Sequence, residues 1–269
     1  SGQDLTVAPY NNDNPRNGVN TYDLVKIGRH VLETELLDSP YKHIAADANH
    51  NGSITGADVV VLRQLILFNT DEIVNNTSWR FVDNAYNFTT STPEGEDFPE
   101  LHTMNDVTTD MVVDFTAVKV GDVTGDASTN GIANIDPRDA GTITFDVDNA
   151  TMVAGEEVRI EFTSADLAKV DAYQFTLNFA TEAMNFDRIE AGTLANLSEA
   201  NFGMNLLNEG VITTSWNGKS ASNDVLFTLV FTANTTAELS NVLTLNSKVT
   251  EAGAYSANGS YDVELAFNG

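Results

Sequence analysis

Asp47-Ala48-Asn49-His50-Asn51-Gly52-Ser53-Ile54-Thr55-Gly56-Ala57-Asp58 puts oxygen-bearing side chains at positions 1, 3, 5, 9 and 12 of a twelve-residue stretch. This is the spacing of an EF-hand-type calcium loop, whose ion needs six to eight oxygens at about 2.3–2.6 Å. Alternate residues point inward only if the chain turns sharply at position 6, and Gly52 supplies the positive φ for that turn. Asp47, Asn49, Asn51 and Asp58 are the expected side-chain donors; Ser53 offers its backbone carbonyl and Thr55 acts through a water. Ile54, at position 8, is expected to pair with a sister loop. An Asx-rich turn before a helix would use the same residue types. It does not explain why five donor positions, the glycine and the position-8 hydrophobe coincide.

A sister stretch lies upstream. Asn12–Leu32 aligns without a gap on Asp47–Leu67 at an offset of 35 residues, an internal duplication. Each copy is a polar loop followed by an apolar-periodic run, Leu24–Leu32 and Val59–Leu67, so each predicts a loop and then an amphipathic helix. The ungapped first loop puts Asn12, Asn14, Asn20 and Asp23 at positions 1, 3, 9 and 12, with Val19 at position 8. Arg16 occupies the ligand position 5, so Asp13 is the expected substitute, and Gly18 preserves the turn and adds a carbonyl. Farther on, Asp122, Thr124 and Asp126 repeat the 1, 3, 5 spacing, but Ala133 falls at position 12. This half site reads either as lending a carboxylate, Asp122 or Asp126, to the first loop or as a plain acidic turn before the linker.

Two loop-helix units, each loop ending in a single aspartate, joined by Ser39–Asp47, resemble a dockerin module over residues 12–67. The resemblance implies a small calcium-binding α-helical domain that docks onto cohesin domains. From Phe68 to Gly121, runs such as Trp79-Arg80-Phe81-Val82 and Val112-Val113-Asp114-Phe115 predict short strands and loops packed on the helices. The segment Asp114–Asp126 resembles the close of dockerin-like units in giant surface proteins of gliding and marine Bacteroidetes. The first domain is therefore expected over residues 1–126, with a linker of Ala, Ser, Asn and Gly over 127–141.

Beyond it the period becomes two. Ile143–Val147, Val158–Phe162, Tyr173–Phe179, Val211–Trp216, Leu226–Phe231 and Tyr261–Phe267 alternate apolar and polar residues, which predicts an all-β antiparallel sandwich over 142–269. Val153–Val158, Tyr173–Leu177 and Met184–Leu194 are similar to the opening half of cohesin domains, a jelly-roll relative of carbohydrate-binding modules. Tyr173, Trp216 and Tyr255 are the candidates for a sugar-stacking face, although strand patterns place Tyr173 and Trp216 in the core.

Composition narrows the function. Against 13 Lys+Arg stand 39 Asp+Glu, a net charge of −26, which repels nucleic-acid phosphates and anionic lipids and favours cations. No cysteine is present to form a disulfide, so bound calcium is the expected staple. No apolar run is long enough for a membrane span. Ser1-Gly2 reads as a cloning remnant, leaving room for a leader upstream. His30, His43, His50 and His102 form no recognisable catalytic pattern, and nucleotide-binding glycine motifs are absent from the sequence.

The expectation is a calcium-stabilised structural, adhesion or assembly module, secreted or on a bacterial cell surface and without enzyme activity. Its expected partners are a protein or glycan ligand and neighbouring domains of a longer chain. The alternative is a targeting or carbohydrate-binding part of a polysaccharide-degrading system.

Overall fold

Both apolar-periodic runs form helices. The computed structural model describes residues 2–92, 95–129, 140–220 and 224–269. Asn20 ends the first polar stretch in an extended conformation and caps α1 (Thr21–Val31): its side chain accepts from the Tyr22 amide, and its own amide donates to Asp23. Pro40, with its fixed φ, opens α2 (Pro40–Ala46), and the second run forms α3 (Gly56–Ile66). Helices of 11 residues are marginal alone. Burial of Leu24 and Ile27 on α1 and of Leu62 and Leu65 on α3, all at 0% exposure, supplies about 1.5–3 kcal/mol for each side chain.

Two antiparallel pairs complete this unit: β1 (Gln3–Val7) with β3 (His102–Val107), and β2 (Trp79–Asp83) with β4 (Phe115–Lys119). Of the apolar runs Trp79–Val82 and Val112–Phe115, the second is mostly loop. Pairing begins only at Phe115, and Val112 is 85% exposed, so the apolar run is a loop that buries little.

The chain divides into Ser1–Leu65 with Thr70–Asn134, and Ile66–Asn69 with Ile135–Gly269. Residues 130–139 of the expected linker lie outside the described residues.

Alternation becomes strand structure throughout the second unit. Its strands are β5 (Thr142–Asp148), β6 (Thr151–Met152), β7 (Glu157–Phe162), β8 (Ala172–Phe179), β9 (Met184–Ala191), β10 (Phe202–Gly203), β11 (Val211–Asn217), β12 (Phe227–Ala233), β13 (Ala237–Glu238), β14 (Leu243–Asn246), β15 (Gly253–Ser256) and β16 (Gly259–Asn268). One sheet runs β10-β11-β8-β15-β16-β5, with β14 also on β8, and β7-β12-β9 forms another. The expectation of a purely antiparallel sandwich is corrected at one place: β16 pairs with β5 in parallel, from Asp262 opposite Thr142 to Asn268 opposite Asp148. First and last strands lie far apart in sequence, so the long connection a parallel pair needs is already present.

Inward residues of the sheets make one aromatic-rich core. Phe162 stacks on Phe227 at 4.6 Å between ring centroids, and Phe145 meets Tyr173 and Phe175 edge-on at 5.0 Å. Ile66–Asn69 belongs to this unit through backbone carbonyls: Thr213 Oγ1 donates to Leu67 O at 2.7 Å and Thr250 Oγ1 to Ile66 O at 2.6 Å.

Candidate metal centres

The Asp47–Asp58 loop closes on its two end carboxylates. Asp47 accepts from the Asn51 amide at 3.0 Å and the Gly52 amide at 2.9 Å; Gly52 has φ +82°. Asp58, at 0% exposure, accepts from the Asn49 amide at 3.1 Å and from the Thr55 amide at 2.8 Å. The Thr55 hydroxyl also donates to Asp58, at 3.2 Å, and the Ser53 amide to Asn51 Oδ1 at 2.9 Å. Positions 1 and 12 are thus oriented by the backbone of the loop they close. Asn49 Oδ1, at position 3, is shielded from solvent and has no hydrogen-bond partner. A buried amide oxygen left without a donor costs about 1–3 kcal/mol, which a cation at that oxygen would offset.

Ile54 lines a cavity of about 480 Å³ together with Ile44, Asp47 and Phe98.

The first loop is built differently from the ungapped alignment. Asn12 is taken by Ser78, whose amide donates to Asn12 Oδ1 at 2.8 Å and whose hydroxyl donates to Asn12 O at 3.2 Å. The Asp13 amide turns to Asn11 Oδ1, and Asn14 sits at φ +48° with its carbonyl accepting from the Asn17 amide. Arg16 leaves the loop to serve α3, donating to the Leu65 carbonyl at 2.9 Å and to Thr70 O and Asp71. Of the expected donors Asn12, Asp13 and Asn14, the Asn12 side-chain oxygen is engaged by Ser78, and these bonds of Asp13 and Asn14 are made by their backbone.

Asp122, Thr124 and Asp126 stand in their place. Asp23, at 0% exposure, accepts from the Val123 amide at 2.9 Å, the Thr124 amide at 3.0 Å and the Thr124 hydroxyl at 2.9 Å. Its other oxygen accepts from the Asn20 amide at 2.9 Å. Asp122 accepts from the Gly125 amide at 2.6 Å, the Asp126 amide at 3.1 Å and the Ala127 amide at 2.8 Å. The Asn20 amide group donates to Asp126 at 2.8 Å.

Numbered as one loop, Asp122–Ala127 supplies positions 1–6 and Gly18–Asp23 positions 7–12. The acid at position 12 then accepts from the amides of positions 3 and 9, as Asp58 does in the intact loop. The place first given to Ala133, outside the described residues, is filled by Asp23 from the other end of the unit. Gly18, at φ +72°, marks the junction: a Cβ there would lie 2.4 Å from the Ala127 nitrogen.

Burial, and next the Asp122 carboxylate, hold the Asp23 carboxyl well above the usual range, against opposing hydrogen bonds from Asn20 and Thr124. Lys119, just before the loop, donates to Pro15 O and Val120 O, both at 2.8 Å, and burial lowers its ammonium to about 8. Among the described residues no three His, Cys, Asp or Glu side chains form a metal-holding group. Both donor sets are instead mixed: carboxylate, amide, hydroxyl and carbonyl oxygens, the hard ligands that suit calcium.

Sequence reasoning missed the pairings of the histidines. His102 Nδ1 lies 2.6 Å from Asp83 Oδ2, while His30 and His43, 4.8 Å apart edge-to-face, engage the amide and carbonyl of Leu37. Nothing in residue spacing signals these contacts. The sugar-stacking candidates are corrected: Tyr173, Trp216 and Tyr255 are 0%, 1% and 7% exposed, and Trp216 Nε1 donates to Ala195 O at 3.0 Å. These rings fill the sandwich rather than face solvent.

Residues 143–263 match the Cohesin domain family. Similar solved structures include the solution structure of CaCohA2 from Clostridium acetobutylicum, 14% identical, covering 48% of this chain and 88% of that one at a TM-score of 0.38. A type I cohesin–dockerin complex from Clostridium thermocellum is 14% identical over 46% of this chain and 89% of that one, TM-score 0.37. Type II cohesin A11 from Bacteroides cellulosolvens is 16% identical over 48% and 97%, TM-score 0.36. No curated protein matches the chain.

Proposed function

We propose that this chain is a non-catalytic, calcium-stabilised assembly module of a larger extracellular or cell-surface protein, its second unit a cohesin-like sandwich that binds a dockerin-type protein. The observation that carries the assembly role is the match of residues 143–263 to the Cohesin domain, a family of protein–protein interaction modules. A glycan-binding role has less support, because the aromatic rings that would stack on sugar belong to the core.

The first unit is, on this proposal, a dockerin-like pair of calcium loops. Asp47, Asn49, Asn51, Ser53, Thr55 and Asp58 would hold one ion; Asp122, Thr124, Asp126, Gly18, Asn20 and Asp23 would hold the other. An ion bound only by the folded chain adds stability of RT ln(1 + [L]/Kd), about 2.7 kcal/mol at a hundredfold excess over Kd. In a chain without cysteine this would be the extracellular staple.

The test is a binding assay of the immobilised chain against purified type I and type II dockerins and against insoluble polysaccharides, in calcium and in chelator. Saturable capture of a dockerin supports the proposal. Retention on polysaccharide with no dockerin bound would reverse it.

A further inference from the structure

A calcium loop made from two chain segments needs something to replace the peptide bond missing between positions 6 and 7. In the intact loop Gly52 is bonded directly to Ser53. In the composite loop Ala127 continues to Ser128 and Gly18 arrives from Asn17, so the two strands cross the junction side by side.

Asn17 spans that junction. Its Nδ2 donates to the Ser128 carbonyl at 2.8 Å, and its Oδ1 accepts from the Ser128 amide at 3.0 Å. One side-chain amide thus exchanges two hydrogen bonds with one backbone residue 111 positions away, the arrangement of a hydrogen-bonded pair in an antiparallel sheet. Both bonds are needed for register: one alone would let the segments pivot, whereas two parallel bonds fix orientation as well as distance. Gly18 permits the approach, since any Cβ there would meet Ala127 backbone.

We infer that Asn17 is the latch of the composite loop, a positioning residue that contributes no metal ligand but holds Asp122–Asp126 against Gly18–Asp23. This rests on the calcium reading of that loop. Residues that orient metal ligands through hydrogen bonds typically alter affinity 10- to 100-fold when removed. Asn17→Ala is therefore expected to weaken the composite loop and leave the Asp47–Asp58 loop unchanged.

The experiment is a calcium titration of the full chain followed by amide NMR, with Gly125 reporting the composite loop and Gly52 the intact one. The expected result is a Gly125 dissociation constant raised tenfold or more in N17A, an unchanged Gly52 constant, and a melting temperature in chelator close to that of the wild type. A Gly125 constant within twofold of wild type, or a loss of melting temperature in chelator equal to that in calcium, would overturn the latch. A wild-type Gly125 amide that ignores calcium while Gly52 responds would instead remove the composite site, and the latch with it. Should N17A fail to fold, hydrogen exchange at the wild-type Ser128 amide decides: protection that rises with calcium supports the latch, and free exchange refutes it.

Discussion

Asp23 and Thr124, 101 residues apart in sequence, are joined twice: the Thr124 amide donates to Asp23 Oδ1 at 3.0 Å and its hydroxyl donates to the same oxygen at 2.9 Å. A buried carboxylate at the first turn of one helix is thus held by the far end of the same unit, so a change at either end must be felt at the other. Asp122→Ala is expected to shift the amide resonances of Asn20, Tyr22 and Asp23 and to lower the calcium-induced rise in melting temperature. Resonance changes confined to residues next to Asp122 would contradict this coupling.

Asp58 is buried and receives three hydrogen bonds from its own loop, so part of its contribution is made by the protein alone. Its replacement by alanine leaves the Asn49 and Thr55 amides without an acceptor, at about 1–3 kcal/mol each where they are cut off from water. Urea unfolding in chelator should show Asp58→Ala destabilised by several kcal/mol, whereas a loss seen only in calcium would mean that Asp58 acts through the ion alone.

How these features could be read from sequence differs by their range. The Asp47–Asp58 loop and both helices depend on local spacing, and the 35-residue offset was enough to find them. Strand alternation likewise located β5, β7, β8, β11, β12 and β16. Composite-loop geometry was only half legible: Asp122, Thr124 and Asp126 carried the spacing, but their position-12 acid had to be sought forward along the chain, where Ala133 stands. Tertiary closure brings Asp23 there instead, and Ser78 draws Asn12 away. The parallel β5–β16 pair and the histidine contacts are also long-range, so local periodicity holds no trace of them.

Lys119 gives the first unit a pH signature. Burial lowers its ammonium from the ordinary 10.5 to about 8, partly opposed by Asp122 and Asp23. Between those values the unfolded chain binds the proton and the folded chain does not, so unfolding free energy rises with pH there. Relative to Lys119→Met, the wild type should gain stability between pH 8 and 10.5. A difference that is flat across that range would show that the ammonium keeps its charge.

In the sandwich, Trp216 lies in the aromatic core at 1% exposure, 5.7 Å from the ring of Tyr173. Trp216→Ala should cost about 3–5 kcal/mol in denaturant unfolding. A variant of unchanged stability that has lost affinity for a polysaccharide would return Trp216 to a binding surface.

Opposite Trp216's layer, Glu190 is held near 2 by hydrogen bonds first from Arg159 and then from Arg188. Because a depressed carboxyl stabilises above its ordinary range and loses that contribution as the pH falls through the folded value, acid titration followed by carboxyl NMR should place Glu190 well below free glutamate, and Arg159→Ala should move it upward. An unmoved midpoint would mean that the pair does not persist in solution.

The stoichiometry of calcium binding to the full chain tests the central claim most directly. Calorimetry of the metal-stripped protein should give two ions per chain and one ion in Asp122→Ala. A stoichiometry of zero, or one that Asp122→Ala leaves unchanged, would contradict a calcium loop assembled from Asp122–Ala127 and Gly18–Asp23.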